Sequence, residues 1–213
     1  MLREQGNDEA ATVLKDALNT ETTVLGSEHR LTIHCKLSLM IAYTYQGNLG
    51  EETRVGLEET LSLAKQVWGK DCIDTKLAQK WYGFYFLCVG NFIKAKEIYE
   101  NLLSWGKTQE RTHPVFIFHI MHSLADTHLE QKQYKDAEKL YREALAGRQK
   151  CLGQNHPDTL SSMYGLSESL WHNGKQDEAN TLCQETCVLR KKVLGPSHPR
   201  TTQAELLQKQ IDS

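Results

Sequence analysis

Proline is scarce in this chain: four residues in 213, at Pro114, Pro157, Pro196 and Pro199. Since proline breaks helices, the long stretches without it are open to helix. Equally absent is any run approaching the roughly 18 apolar residues of a membrane-crossing helix, and Met1–Asp8 holds no apolar signal-peptide segment. Neither sign of charge is in excess. The 25 Lys and Arg against 27 Asp and Glu leave a net charge of −2, which argues against a polyphosphate partner. Basic residues are not interleaved with aromatics along one face, so RNA binding is not expected either. No phosphate loop, nucleophile elbow or His-Glu-x-x-His motif occurs. The chain is therefore expected to be no enzyme and to carry no cofactor and no metal. The six cysteines (Cys35, Cys72, Cys88, Cys151, Cys183, Cys187) contain no Cys-x-x-Cys pair. They read as small buried hydrophobes in a reducing, cytoplasmic compartment. With 39% apolar and 24% charged residues, a packed core and a soluble chain are expected.

What is present is repetition. Leu152-Gly153-Gln154-Asn155-His156-Pro157-Asp158-Thr159 returns 42 residues later as Leu194-Gly195-Pro196-Ser197-His198-Pro199-Arg200-Thr201. Leu25–Thr32 and Trp68–Thr75 are weaker copies, and Thr112-His113-Pro114 keeps only the end of the string. The anchors His29, Cys72, His113, His156 and His198 are spaced 43, 41, 43 and 42 residues apart, the mark of one structural unit in series. Glycine suits the residue that closes a helix and proline the first turn of the next, so each string reads as a junction. Its histidine caps or packs at the new helix start. Polar turns at Gln46-Gly47-Asn48, Gly90-Asn91, Gln131-Lys132-Gln133 and Asn173-Gly174-Lys175 divide each interval into two antiparallel helices.

The second helix of each unit has its own fingerprint: Ala10/Leu14/Ala17, Thr53/Leu57/Thr60, Ala95/Tyr99/Leu102, Ala137/Tyr141/Ala144 and Ala179/Cys183/Thr186. Positions i, i+4 and i+7 form one face, and a small residue at its head lets a neighbouring helix approach closely. The alternating charges from Lys132 to Arg148, with Glu138 and Arg142 four apart, read as a solvated outer surface.

This combination of helix fingerprint, junction string and period resembles the tetratricopeptide repeat, in the 42-residue variety found in kinesin light chains and related repeat proteins. The resemblance covers essentially the whole chain, strongest over 133–201 and weakest over 29–69. It implies an all-α, right-handed α-solenoid of antiparallel pairs, about ten helices. Its parts are a partial repeat 7–28, repeats 29–71, 72–112, 113–155 and 156–197, and a terminal helix 198–213. The out-of-phase start suggests a piece of a longer protein.

In the resembling family the first helices line a concave groove. Registered on the small residues Gly83, Ala125 and Ser167, the groove positions here are Leu77, Lys80, Phe84 and Leu87; His119, His122, Asp126 and Leu129; and Ser161, Tyr164, Glu168 and Trp171. The asparagine ladder with which such proteins grip a peptide backbone is missing, so motor-cargo recognition does not carry over. The aromatic helix 77–89 is expected to be largely core, with Phe84 and Leu87 available as an apolar floor or for self-association. His119, His122 and Asp126 fall within about 60° on one face. As a metal or acid/base group they would still need another ligand, Glu168 being the candidate, and a polar groove wall is the expected role. The expected function is a scaffold that binds a peptide or protein segment. The alternatives are a ligand-sensing region of a larger signalling ATPase and, least favoured, an enzyme built around His119, His122 and Asp126.

Overall fold

The computed structural model describes residues 2–109 and 114–213, the side chains of residues 2–8 excepted. Among the described residues there are ten helices and no strand: α1 (Leu2–Leu25), α2 (Arg30–Tyr45), α3 (Glu51–Trp68), α4 (Ile73–Cys88), α5 (Phe92–Thr108), α6 (Pro114–Glu130), α7 (Tyr134–Leu152), α8 (Pro157–His172), α9 (Gln176–Leu194) and α10 (Pro199–Ile211). The chain forms two compact units, one ending at Ile98 and one beginning at Tyr99.

Consecutive helices pack on one another from α1 to α4 in the first unit and from α6 to α10 in the second. In the first, α2 also touches α4; in the second, α6 touches α8 and α8 touches α10. No such contact joins α1 to α3 or α7 to α9 among the described residues. The first helices of successive repeats therefore lie closer together than the second helices do, which makes their side the inner one in each unit.

The junction strings do the work expected of them, with one addition. Gly153 closes α7 at φ +88°, ψ 165°, a region open to glycine and strained for any side chain. His156 then caps α8, its Nδ1 accepting the Asp158 N–H at 3.1 Å, with Pro157 in the first turn. His29 and His198 cap α2 and α10 in the same way, at 3.3 and 3.1 Å. Cys72 makes no side-chain cap, and His113 lies outside the described residues. The addition is threonine. Thr75, Thr159 and Thr201 are fully buried and donate their hydroxyls to the carbonyls of Gly69, Gly153 and Gly195 at 2.8–2.9 Å. In these three strings the last recurring letter thus ties the new helix to the glycine that ended the old one, whereas Thr32 is buried with its hydroxyl unpaired and Phe116 stands at the matching place in α6.

The second-helix fingerprint is core. All twelve of its side chains in α3, α5, α7 and α9 are at most 2% exposed. In α1, Ala10 is exposed and Leu14 and Ala17 are half-buried.

Two sequence expectations are corrected. The face from Lys132 to Arg148 is not simply solvated: Glu138 and Arg148 are buried. Glu138 holds the following turn, accepting from Lys175 at 2.6 Å and Asn173 at 2.8 Å. Arg148 reaches into the next repeat, to the Asp158 carbonyl at 2.8 Å and Ser162 Oγ at 2.7 Å. Arg190, 42 residues on, repeats this by bonding the Arg200 carbonyl. A buried guanidinium persists because such bonds replace lost water. Of the cysteines, only Cys183 and Cys187 are buried; Cys88 and Cys151 are exposed, and all six are free thiols.

In the first full repeat two sizes are exchanged. Met40 stands on α2 where the first helices of later repeats have Gly83, Ala125 or Ser167. Opposite it on α3, Gly56 replaces the Ile98, Leu140 or Leu182 of later second helices. A Cβ on Gly56 would lie 2.2 Å from Met40 Sδ. The Gly56→Leu variant is expected to lose about 1–3 kcal/mol through overpacking. Adding Met40→Ala should restore part of it, a coupling that urea unfolding of the two single variants and the double variant measures.

Candidate binding faces

In the first unit the inner face is aromatic. Lys80, Phe84 and Leu87 are half-buried on α4, as are Leu77 and Trp81. Tyr45, the last residue of α2, packs its ring on Phe84 (5.2 Å between centroids) and on Trp81 (6.0 Å), and those two meet edge to face at 5.7 Å. Lys80 lays its ammonium 4.1 Å from the Trp81 ring centre. Tyr45 was missed in the sequence. The register of α2 depends on a small residue that is here Met40, so its inner positions could not be read off. Tyr85 and Phe86, by contrast, are core.

In the second unit the expected His119–His122–Asp126 constellation is divided. His119 turns to the next repeat, its Nε2 3.0 Å from Asp158 Oδ2. That hydrogen bond, opposed by burial and aided by the charges of His119, Arg148 and His156, holds the Asp158 carboxyl well below the usual range. His122 stays near Asp126, 3.8 Å away, with its ring edge-to-face on Tyr141 at 5.3 Å. Tyr141 donates its hydroxyl to Asp126. Its phenol is raised by burial and by that carboxylate. Burial lowers the His122 pKa, only partly offset by Asp126, and Nδ1 is buried without a hydrogen-bond partner.

Glu168, the candidate extra ligand, is hydrogen-bonded to Tyr164, and burial raises its carboxyl, with Asp126 and Glu130 adding to the effect. Among the described residues no group of three His, Cys, Asp or Glu side chains is placed to hold a metal ion. Tyr164 lies under the Arg190 guanidinium, 4.7 Å from its ring centre. Ser161 bonds back to the Pro157 carbonyl. Leu129 and Trp171 are half-buried against the core, and Trp171 also meets His172 at a tilt, 4.6 Å between ring centroids. Not foreseen was the pairing of His119 with Asp158. Its signal lay in the junction string, where an aspartate in the first turn of α8 comes beside the helix one repeat earlier.

Against known proteins, residues 116–192 match the family model of the tetratricopeptide repeat. Among solved structures, the chain is similar to a putative kinesin light chain of nearly identical TPR-like repeats from Podosopora anserina. A single-substitution variant of that protein gives a TM-score of 0.66 at 23% identity, over 89% of this chain and 90% of that one. The parent protein gives 0.64 at 23% identity with the same coverage. BtubC (BKLC) from P. vanneervenii gives 0.71 at 16% identity, over 98% of this chain and 81% of that one. No curated protein matches in sequence. At such identities the structural likeness establishes the fold, an all-α solenoid. Residues 116–192 thus carry tetratricopeptide repeats, and the fold of the chain is similar to that of solved kinesin-light-chain-like TPR arrays.

His122 gives a pH test. Its folded pKa is lowered, so the unfolded chain binds the proton more readily, and stability is lost as pH falls through the usual histidine value of 6.5. Relative to wild type, His122→Gln is expected to lose less stability between pH 7.5 and 5.5, as urea midpoints at the two pH values would register.

Proposed function

We propose that the chain is a scaffold whose inner, first-helix faces bind a peptide or protein segment, without catalysis. Arrays of this fold are typically interaction scaffolds, and no described helix is long and apolar enough to cross a membrane. The contacts are Lys80, Phe84 and Leu87 in the first unit, and His119, His122, Asp126, Tyr164, Glu168 and Trp171 in the second.

The observation that carries this reading is Glu168. Its carboxyl is half-buried on α8, and the other charges acting on it, Asp126 and Glu130, are of its own sign. A buried carboxylate without a cation is costly, and a lysine or arginine of a bound segment supplies the missing charge. Trp171, beside it on the same helix face, offers an apolar wall for a neighbouring side chain. The aromatic floor around Phe84 serves a second apolar anchor. Fixed helices hold these groups in place before binding, which lowers the ordering cost.

Binding and stability should then pull against each other at Glu168. A raised folded pKa means that the ionised group costs stability, a cost absent below its unfolded value near 4.5 and growing as pH rises through the folded value. Glu168→Gln is therefore expected to raise Tm at pH 7.5 but hardly near pH 4. It should also weaken binding of basic, apolar-anchored peptides about tenfold, the worth of one charge-assisted hydrogen bond. Anisotropy titrations against basic and acidic peptide sets check this, and a preference for acidic peptides would refute the reading.

A further inference from the structure

On the outer side of the first unit the space between α1 and α3 is open, with α2 as its floor. Two adjoining hollows of about 480 and 500 Å³ share Leu18, Asn19 and Lys36 as walls. The small Gly56 clears room for the first. Leu182, which stands on α9 where α3 has Gly56, packs instead against the core of the second unit. Leu18, Leu39, Met40 and Val55 make this first hollow largely apolar. The second contains an unmet hydrogen-bond donor. Thr32 is 3% exposed and its hydroxyl is buried without a partner, whereas Thr75, Thr159 and Thr201 each bond a junction glycine. We infer that these hollows together bind a small amphipathic monocarboxylate, its carboxylate between Lys36 and Thr32 and its apolar tail over Met40 and Val55.

The head end is rich in donors. Asn19, Ser27, Thr32 and Lys36 all line it, and Thr32 stands in the first turn of α2, the positive end of a 16-residue helix. A buried hydroxyl without a partner costs stability, and a carboxylate oxygen accepts from it. The Lys36 ammonium can serve the same anion. Its present partner, Glu59, lies 2.7 Å away and is 58% exposed, and an ion pair so open to water is worth little. When a ligand carboxylate takes its place, Glu59 returns to water.

Length and charge narrow the ligand further. Tyr43, at the other end of the floor, lies about 10 Å of helix rise beyond Lys36, so a tail of medium length spans the apolar hollow. The flexible Met40 thioether gives that tail an adaptable wall. Glu51 and Glu52 stand at the far end, where a second carboxylate would meet charges of its own sign. A dicarboxylate of equal length is therefore disfavoured. So is a neutral amide, which brings Lys36 no anion.

Calorimetric titration of the whole 213-residue chain with octanoate, octanamide and suberate tests this assignment. Octanoate is expected to bind and to raise Tm, with octanamide and suberate each about tenfold weaker. Thr32→Val should move two readouts in opposite directions: the ligand-free Tm rises as the unmet polar group is removed, while octanoate affinity falls severalfold. Asn19→Trp, at an exposed position on α1, should block the hollows with Tm unchanged. Glu168→Gln, in the second unit, should leave octanoate binding as it is, which keeps this test separate from that of the scaffold reading. Equal affinity for octanoate and octanamide, undiminished affinity in Thr32→Val, or octanoate binding that survives Asn19→Trp overturns the inference. So does an acidic peptide that binds in the hollows where octanoate does not.

Discussion

Everything in this molecule depends on one buried contact made again and again: the small–large–small face of a second helix against the first helix beside it. Helices α2 to α9 run to only 16–19 residues, little beyond the length at which even alanine-rich helices are marginal in water. Closing a leucine- or tyrosine-sized side chain away from water contributes about 1.5–3 kcal/mol. No hairpin can bury both of its sides by itself, so stability belongs to neighbours rather than to units. The polar bonds that cross from one repeat to the next, from Arg148 to the Asp158 carbonyl and from Arg190 to that of Arg200, fix where those neighbours sit.

That division of labour leaves the inner surface free to vary. The fingerprint faces of α3, α5, α7 and α9 are the same in kind, and the junction threonines Thr75, Thr159 and Thr201 make the same bond, whereas the inner residues change from an aromatic group around Phe84 to an ionisable one around Asp126 and Glu168. Part of the inner surface still serves the fold: Trp171 and Leu129 lean on the core, and Tyr164 supports the Arg190 guanidinium. A scaffold built this way keeps its framework while its recognition chemistry changes one helix at a time.

The fold was largely legible because its signals are local. A glycine at positive φ, a capping histidine and a following proline occupy fixed offsets, and part of that pattern survives even in the degraded copy around Gly69 and Thr75. The inner surface was legible only in part, because side-chain partners there are chosen across repeats. His119 and Asp126 share a helix face, yet His119 finds Asp158, 39 residues away, a closer partner. Arg148 looks like any other member of a charged stripe, and only the carbonyl beyond the junction makes it a buried one. Tyr45 stayed hidden because Met40 broke the pattern by which α2 could be placed in register.

Met40 and Gly56 carry a consequence for how such arrays can be rearranged. A bulky thioether on one strut is matched by a missing side chain on its mate, so neither strut fits the counterpart from a sister module. Graft α2 alone onto a scaffold bearing Leu140 or Leu182 and two side chains compete for one space; graft α3 alone and a hole opens. Duplication or shuffling of this segment thus succeeds only when α2 and α3 travel together, and the smallest heritable building block is the pair.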